Sequence, residues 1–238
     1  MIIKDSHIPI YFQLETEIKE LVKGLNPGDP ISSEREFAEK YDISRMTVRQ
    51  AINNLVNEGI LVRKRGKGTF VAAQKVEQPL SGLTSFSEDM RSRGMKPQTK
   101  ILSFQQISSD KNIAAKLKIE ENMPVYEVSR LRLADESPMA LEVSYLPAHI
   151  ITDLTEKTIH ASLYDYIEKE LQLTISHASQ TLESSLAQGN ECNLLKIEEG
   201  DPVLLIERYS YLENGAAFEY VKSIYRGDRY KFVIDMKR

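Results

Sequence analysis

A length of 238 residues, 41 % apolar and 28 % charged, suits one large or two modest globular domains and excludes general disorder. One cysteine, Cys192, excludes a disulfide framework or a cysteine-rich zinc site and suits a reducing compartment. No apolar run approaches the ~18 residues of a membrane span, and the first residues carry no basic-then-apolar leader, so a cytoplasmic protein without a membrane partner is expected.

The net charge of −4 argues against nucleic acid only while it is averaged. Residues 44–73 hold Arg45, Arg49, Arg63, Lys64, Arg65 and Lys67 against the single acid Glu58, a local charge of +5 inside an acidic chain. A solvated charged face would explain such a block equally well, so its local pattern has to decide.

Leu14, Ile18, Leu21 and Val22 form one helical stripe, which Asn26-Pro27-Gly28-Asp29-Pro30 ends with turn residues. Ser33-Glu34-Arg35-Glu36 fits a capping box, followed by a short helix with Phe37, Ala38 and Tyr41 inward. Ser44 can cap a third helix whose buried stripe is Val48, Ala51, Ile52, Leu55 and Val56. Arg45 and Arg49, four apart, share another face of it, and Gly59 suits the position just past its end.

The period then changes. Ile60–Arg63 and Thr69–Val71 read as strands around the basic, glycine-rich turn Lys64-Arg65-Gly66-Lys67-Gly68. Three short helices and a basic hairpin make a winged helix-turn-helix. A capped helix with arginines near its start can enter a major groove and place bidentate donors on guanine. Lys64, Arg65 and Lys67 on a narrow hairpin can meet phosphates or a minor groove, with glycines allowing close approach. A protein-binding three-helix module is the competing reading, and it leaves these cations unexplained.

Five ordered motifs carry a family resemblance across these seventy residues. They are Pro9-Ile10-Tyr11-Phe12-Gln13, Ser33-Glu34-Arg35-Glu36, Ser44-Arg45-Met46-Thr47-Val48-Arg49-Gln50-Ala51, Leu55-Val56-Asn57-Glu58-Gly59 and Arg65-Gly66-Lys67-Gly68-Thr69-Phe70-Val71. Together they resemble the GntR-family DNA-binding domain. The resemblance implies that Arg35, Arg45 and Arg49 meet operator phosphates and guanines, that Thr47 adds a phosphate or base contact, and that Gly66 lies at the wing tip. Ser33, Ser44, Lys64, Arg65 and Lys67 complete the expected DNA-binding set. The family binds palindromic sites as dimers.

Residues 73–80 lack periodicity and read as a linker between a reader, 1–72, and a second domain, 81–238. In the second domain, Leu83–Met90 suggests a capped helix ending near Gly94. Expected strands are Lys100–Ile107, Val125–Leu133, Met139–Leu146, Ile175–Leu186, Val203–Leu212, Ala217–Tyr225 and Tyr230–Asp235. Expected helices are Ser109–Leu117, Ser162–Leu171 and Asn190–Leu195. Short turns such as Asn214-Gly215 favour an antiparallel sheet, so the class is α+β.

An internal repeat stands out. Leu117-Lys118-Ile119-Glu120-Glu121 matches Leu195-Lys196-Ile197-Glu198-Glu199 at an offset of 78, with Pro124-Val125 matching Pro202-Val203 and Arg130 matching Arg208. Leu141-Glu142 corresponds to Phe218-Glu219 after a one-residue slip. Two related halves suggest a cleft between them. Arg130 and Arg132, two apart, share a sheet face, and Glu142 and Glu219 lie on equivalent strands. Cations facing carboxylates suit a phosphorylated sugar, whose phosphate a guanidinium takes. Ser87, Ser162 and Tyr164 can add hydroxyls. Solvent-facing strand charges are the bland alternative.

This second region resembles the UTRA effector domain of HutC-type GntR regulators, which shares the chorismate-lyase fold. The likeness rests on Leu83–Met90 with Arg93-Gly94-Met95, Arg130-Leu131-Arg132-Leu133, Ser162–Glu168, and Phe218-Glu219-Tyr220 with Tyr225–Tyr230. These motifs look most like the N-acetylglucosamine-utilisation branch. The resemblance implies glucosamine-6-phosphate or N-acetylglucosamine-6-phosphate as effector. Arg130, Ser87, Ser162 and Tyr164 would hold the phosphate, and Arg132 would support it. Glu142, Glu219 and Tyr225 would hold the sugar, and Phe86 belongs to the same set. Two glutamates could instead serve a sugar-phosphate-acting enzyme, but an attached DNA reader favours sensing. No Ser-His-Asp, nucleotide, cofactor or metal motif is evident. Other expectations within the family are a different sugar phosphate, or activation rather than repression.

Overall fold

The computed structural model describes residues 2–3, 7–64, 66–72, 75–80 and 82–236, and the chain divides into two compact units at Lys75/Val76. In the first unit, α1 (Ile10–Val22), α2 (Glu34–Tyr41) and α3 (Arg45–Asn57) precede a hairpin of β1 (Leu61–Lys64) and β2 (Gly68–Val71). Leu14, Ile18, Phe37, Val48, Ala51, Ile52 and Leu55 are at most 1 % exposed and form its core. Each of these side chains except Ala51 contributes about 1.5–3 kcal/mol on burial. Leu21, placed by its spacing on the buried stripe, is exposed, and Glu15 is buried instead. The reason is a specific partner: Asn54 Nδ2 donates to Glu15 Oε1 at 2.6 Å across the α1–α3 contact.

Both capping expectations hold. Ser33 and Glu36 form a reciprocal capping box on α2, and the Ser44 side chain accepts the Thr47 amide on α3. Each cap is worth ~1 kcal/mol. Gly59 follows α3 with φ of +74°, the left-handed conformation open to a residue without Cβ. The hairpin register pairs Leu61 with Val71 and Lys64 with Gly68, leaving the basic turn beyond the last pair.

In the second unit six strands form one antiparallel sheet. They are β4 (Pro97–Ser108), β5 (Pro124–Ala134), β6 (Ser137–Pro147), β7 (Ile175–Leu186), β8 (Pro202–Leu212) and β9 (Ala217–Arg226). Their spatial order is β4-β5-β6-β9-β8-β7, so two three-strand copies meet back to back at β6 and β9. The helices are α4 (Phe86–Ser92), α5 (Lys111–Leu117), α6 (Glu156–Ala161), α7 (Leu163–Asp165), which runs into a π-helical turn at Tyr166–Glu170, and α8 (Asn190–Leu195).

The repeat seen in the sequence is therefore structural. Strands β4 and β7 have 12 residues each and β5 and β8 have 11 each. Helices α5 and α8 end at Lys118 and Lys196, both left-handed, with φ of 55° and 56°. The copies extend further upstream than the sequence match showed. Ser85 caps α4 and Ser162 caps α7 at equivalent places.

Two segments depart from expectation. Val76–Pro79, read as linker, is a strand, β3, pairing in parallel with β10 (Tyr230–Val233). The partner lies about 150 residues away, so no local pattern reveals it, and a proline is tolerated on so short an edge. Helix α6 was not expected; the Thr155 side chain caps it and Ile159 is buried on its inner side. Gly227 closes the turn after β9, where a Cβ would lie 2.6 Å from the Pro202 carbonyl oxygen.

Candidate functional site

The reading unit presents its cations at the surface. Arg45 and Arg49 are exposed near the start of α3, where Thr47 is half-buried. Arg45 has no ionic partner among the described residues. Arg49 donates to Glu34 Oε2 from Nε at 3.1 Å and Nη2 at 3.0 Å, and Arg63 Nη2 reaches Glu34 Oε1 at 2.9 Å. The hydrogen bond and charge of Glu34 push the Arg49 guanidinium's pKa up. Arg35 pairs with Glu39 at 2.8 Å. Exposed pairs of this kind contribute little stability, so a phosphate can replace the carboxylate at small cost. Glu34 is the residue the sequence reading passed over, because nothing local links it to a partner 15 residues on.

Ser33, Ser44 and Thr47 have a structural duty first, since their hydroxyls cap helices or support a cap. On the wing, the Lys64 ammonium lies 5.1 Å from the Phe70 ring centroid. Gly66 has φ of +72° with open space around it, and Lys67 is exposed beside it. Arg65 lies outside the described residues.

The sensing unit does the opposite with its arginines. Arg130 and Arg132 on β5 are each 5 % exposed, and Glu142 on β6 and Glu219 on β9 are 7 % and 3 % exposed. With Ser87, Ser162, Tyr164 and Phe86 they enclose a cavity of about 40 Å³ between the sheet and the starts of α4 and α7. Arg130 Nη2 lies 3.2 Å from Glu142 Oε2 and donates to Ser144 Oγ at 2.9 Å. Arg132 donates to Thr99 Oγ1 at 2.8 Å, stands 3.5 Å from Glu142 and from Ser87 Oγ, and covers the Phe86 ring at 4.5 Å. On the other side, the Tyr164 hydroxyl donates to Glu219 Oε2 at 3.2 Å, and Ser210 Oγ donates to the same oxygen at 3.3 Å.

The repeat explains why these residues meet. Ser85, Phe86 and Ser87 correspond to Ser162, Leu163 and Tyr164, Arg130 to Arg208, and Glu142 to Glu219. All ten line the cavity. Arg208 is thus a third cation in the wall that the expected set left out, although its match to Arg130 pointed to it. Its Nε donates to Gln180 Oε1 at 2.8 Å.

The electrostatics favour an anion. Burial raises the Glu219 pKa, while the Arg130 and Arg208 charges oppose that rise. This carboxyl therefore keeps its proton to higher pH than a free glutamate. Burial also pushes the Tyr164 hydroxyl up, and Glu219 adds to the effect. Arg132 is pulled down by burial, which the Glu142 charge partly offsets. Among the described residues Nε of Arg130 and of Arg132 makes no hydrogen bond, although Arg132 Nε stands 3.5 Å from Glu142 Oε2, so Arg130 holds a free donor and Arg132 a weakly engaged one.

Tyr225 departs from the expected set. It is not in the cavity wall, because its ring packs edge-on against Tyr230 at 4.7 Å and Phe232 at 6.2 Å. Burial raises its pKa and the Glu142 charge adds to that. Among the described residues no group of three or more His, Cys, Asp or Glu could hold a metal ion, and no helix is long and apolar enough to cross a membrane.

Comparison with known proteins agrees with this division. Residues 10–71 match the bacterial regulatory proteins of the gntR family, and residues 92–231 match the UTRA domain. The chain is 50 % identical to the HTH-type transcriptional repressor NagR of Bacillus subtilis, over 99 % of this chain and 98 % of that protein. It is 32 % identical to the mannosyl-D-glycerate transport/metabolism system repressor MngR of Escherichia coli, over 98 % of both. The crystal structure of PhnF from Mycobacterium smegmatis superposes with a TM-score of 0.68 at 32 % identity, covering 94 % of this chain and 98 % of that one. These relatives are transcriptional regulators, not enzymes. The chain belongs to the gntR family and is a DNA-binding transcriptional repressor whose UTRA domain serves a small-molecule effector.

Proposed function

We propose that the chain represses amino-sugar (N-acetylglucosamine) utilisation genes, binding a palindromic operator as a dimer and releasing it when an amino-sugar 6-phosphate enters the sensing unit. The observation that carries this reading is the charge balance of the buried cavity. Arg130, Arg132 and Arg208 outnumber Glu142 and Glu219, and among the described residues the Nε donors of Arg130 and Arg132 make no hydrogen bond, the second only a 3.5 Å ion pair. A phosphate satisfies those donors in bidentate fashion, with Ser87, Ser162 and Tyr164 supplying hydroxyls. Glu142 and Glu219 then accept hydrogens from the sugar. Half-identity to NagR and the amino-sugar-branch motifs support glucosamine-6-phosphate or N-acetylglucosamine-6-phosphate as the ligand.

Size adds a mechanism. A cavity of about 40 Å³ holds roughly one water and lies far below the ~300–1,000 Å³ of small-molecule pockets. Entry of a sugar phosphate therefore separates α4 or α7 from the sheet. Helix α4 follows β3, and β3 begins at Val76, directly after the boundary between the units. Binding energy spent on that displacement can favour one of two arrangements of the reader, with a coupling of about 1–3 kcal/mol.

Calorimetric titration of the full chain with a panel of sugar phosphates and the matching free sugars tests the reading. Saturable binding of amino-sugar 6-phosphates, with loss of operator binding at the same concentrations, is the expected result. Preference for another sugar phosphate removes the amino-sugar assignment, and no binding by any member removes the effector site.

A further inference from the structure

The segments that precede the two caps differ, and with them the cover over β4 and β7. Helix α6, immediately before the Ser162 cap of the second copy, lies against β4 of the first, with Ile159 buried and His160 Nδ1 3.2 Å from the Thr99 carbonyl oxygen. Beneath it Ile101, the register partner of Arg130, belongs to the apolar cluster. The matching stretch before the Ser85 cap contains Pro79 and Gly82, and residues 80 and 82–84 form neither helix nor strand. Nothing equivalent to α6 covers β7 among the described residues.

What results is a cavity of about 450 Å³ over β7, roughly ten times the volume of the inner one. Ser176, Ala178, Gln180 and Leu182, alternate residues of one strand face, form its floor. Gln180 stands where the first copy has Ile101, as the register partner of Arg208. Gln78, Thr84 and His177 add polar groups, and no carboxylate is in the wall. Arg208 lines both cavities, so the two share one residue.

We propose that this outer cavity is a second ligand site, for a small hydroxyl-bearing molecule with one oxyanion group such as a phosphomonoester. Its volume falls within the range of small-molecule sites. A cation with hydroxyl and amide neighbours, free of competing acids, recognises an oxyanion by charge-assisted hydrogen bonds. The inner site adds two glutamates that the outer one lacks, so the two cavities treat the non-anionic part of a ligand differently. Because Arg208 serves both, an occupant of either changes the affinity of the other, and the change is reciprocal.

The probe is inorganic phosphate, titrated into the full chain and followed residue by residue through amide NMR. Saturable shifts at Ser176, Ala178 and Gln180 are expected, with neutral glucose giving none. Ala178→Trp fills the cavity and should abolish those shifts while leaving phosphate-dependent shifts at Arg130 and Ser144 in place. Gln180→Leu, a milder change that keeps the fold if the tryptophan does not, should weaken the outer event roughly tenfold by freeing the Arg208 anchor. Shifts confined to the inner site, equal shifts with glucose, or unaltered outer shifts in both variants would overturn the proposal. Loss of the inner event alone would instead strike the effector reading above.

Discussion

The two units use arginine in opposite ways. In the reader, Arg45 and Arg49 stand in solvent, where charge needs no compensation and a surface pair such as Arg49–Glu34 is easily exchanged. In the sensor, Arg130 and Arg132 have left water almost completely and are held by Glu142 and by hydroxyls. An exposed cation suits a polyanion that arrives along a surface. A buried one suits a single small anion that must itself be enclosed. The comparison also explains why net charge misled: the functional cations are a small minority whose placement matters more than their number.

The comparison can be broken most sharply at Arg130. Arg130→Gln breaks a buried ion pair but leaves Arg132 facing Glu142, so it should cost about 3 kcal/mol in the sensing unit, the lower end for such a break. Denaturant unfolding measures this, and operator binding should lose its response to sugar phosphate. Little loss of stability would mean that Arg132 alone compensates Glu142. Next in size is the reader. Arg45→Ala should weaken operator affinity by roughly 5- to 150-fold, with no change in sensor stability, if the side chain reads a base. An unchanged operator affinity removes Arg45 from the interface.

Two smaller effects sharpen the contrast. Lys67→Ala should lower the slope of log affinity against log salt by about one, the loss of one phosphate contact, in a salt series of operator binding. The last concerns pH. Burial raises the Glu219 pKa above its unfolded value. The folded state then binds more protons than the unfolded one between those two values. Its stability contribution is present below the unfolded pKa and is lost as pH rises through the folded one. Chemical denaturation across that window should show the decline, and Glu219→Gln should flatten it. A wild-type curve that rises with pH there would contradict the assignment.

Much of this was legible in the sequence for identifiable reasons. Helices α2 and α3 announced themselves through Ser33, Glu36 and Ser44, whose caps depend on neighbours only three residues away. The six long strands carried alternation and turn residues. The repeat placed Arg130, Glu142 and Glu219 in one frame. What stayed hidden rests on distant partners. Glu15 is buried because of Asn54, β3 exists because of β10, and Glu34 matters because of Arg49 and Arg63. Helix α6 is six residues long, too short for a periodic signal. Arg208 was legible and passed over, since the repeat already matched it to Arg130. Tyr225 is near the site in sequence pattern but is claimed by Tyr230 and Phe232.

The near-symmetry of the sensing unit has a last consequence. A ligand with one anionic end, placed in a frame whose halves are equivalent, would fit equally well in two opposed orientations. Degeneracy of that kind halves the signal, because each pose pulls on a different helix. The chain lifts it at a few positions. Arg132 of the first copy stands where the second has Ser210, and Ser87 stands where the second has Tyr164. A difference of 1.4 kcal/mol between the two poses already gives about ten to one. If the proposed effector occupies this site, these broken equivalences, rather than the residues the halves share, set the direction in which it lies and hence which helix it moves.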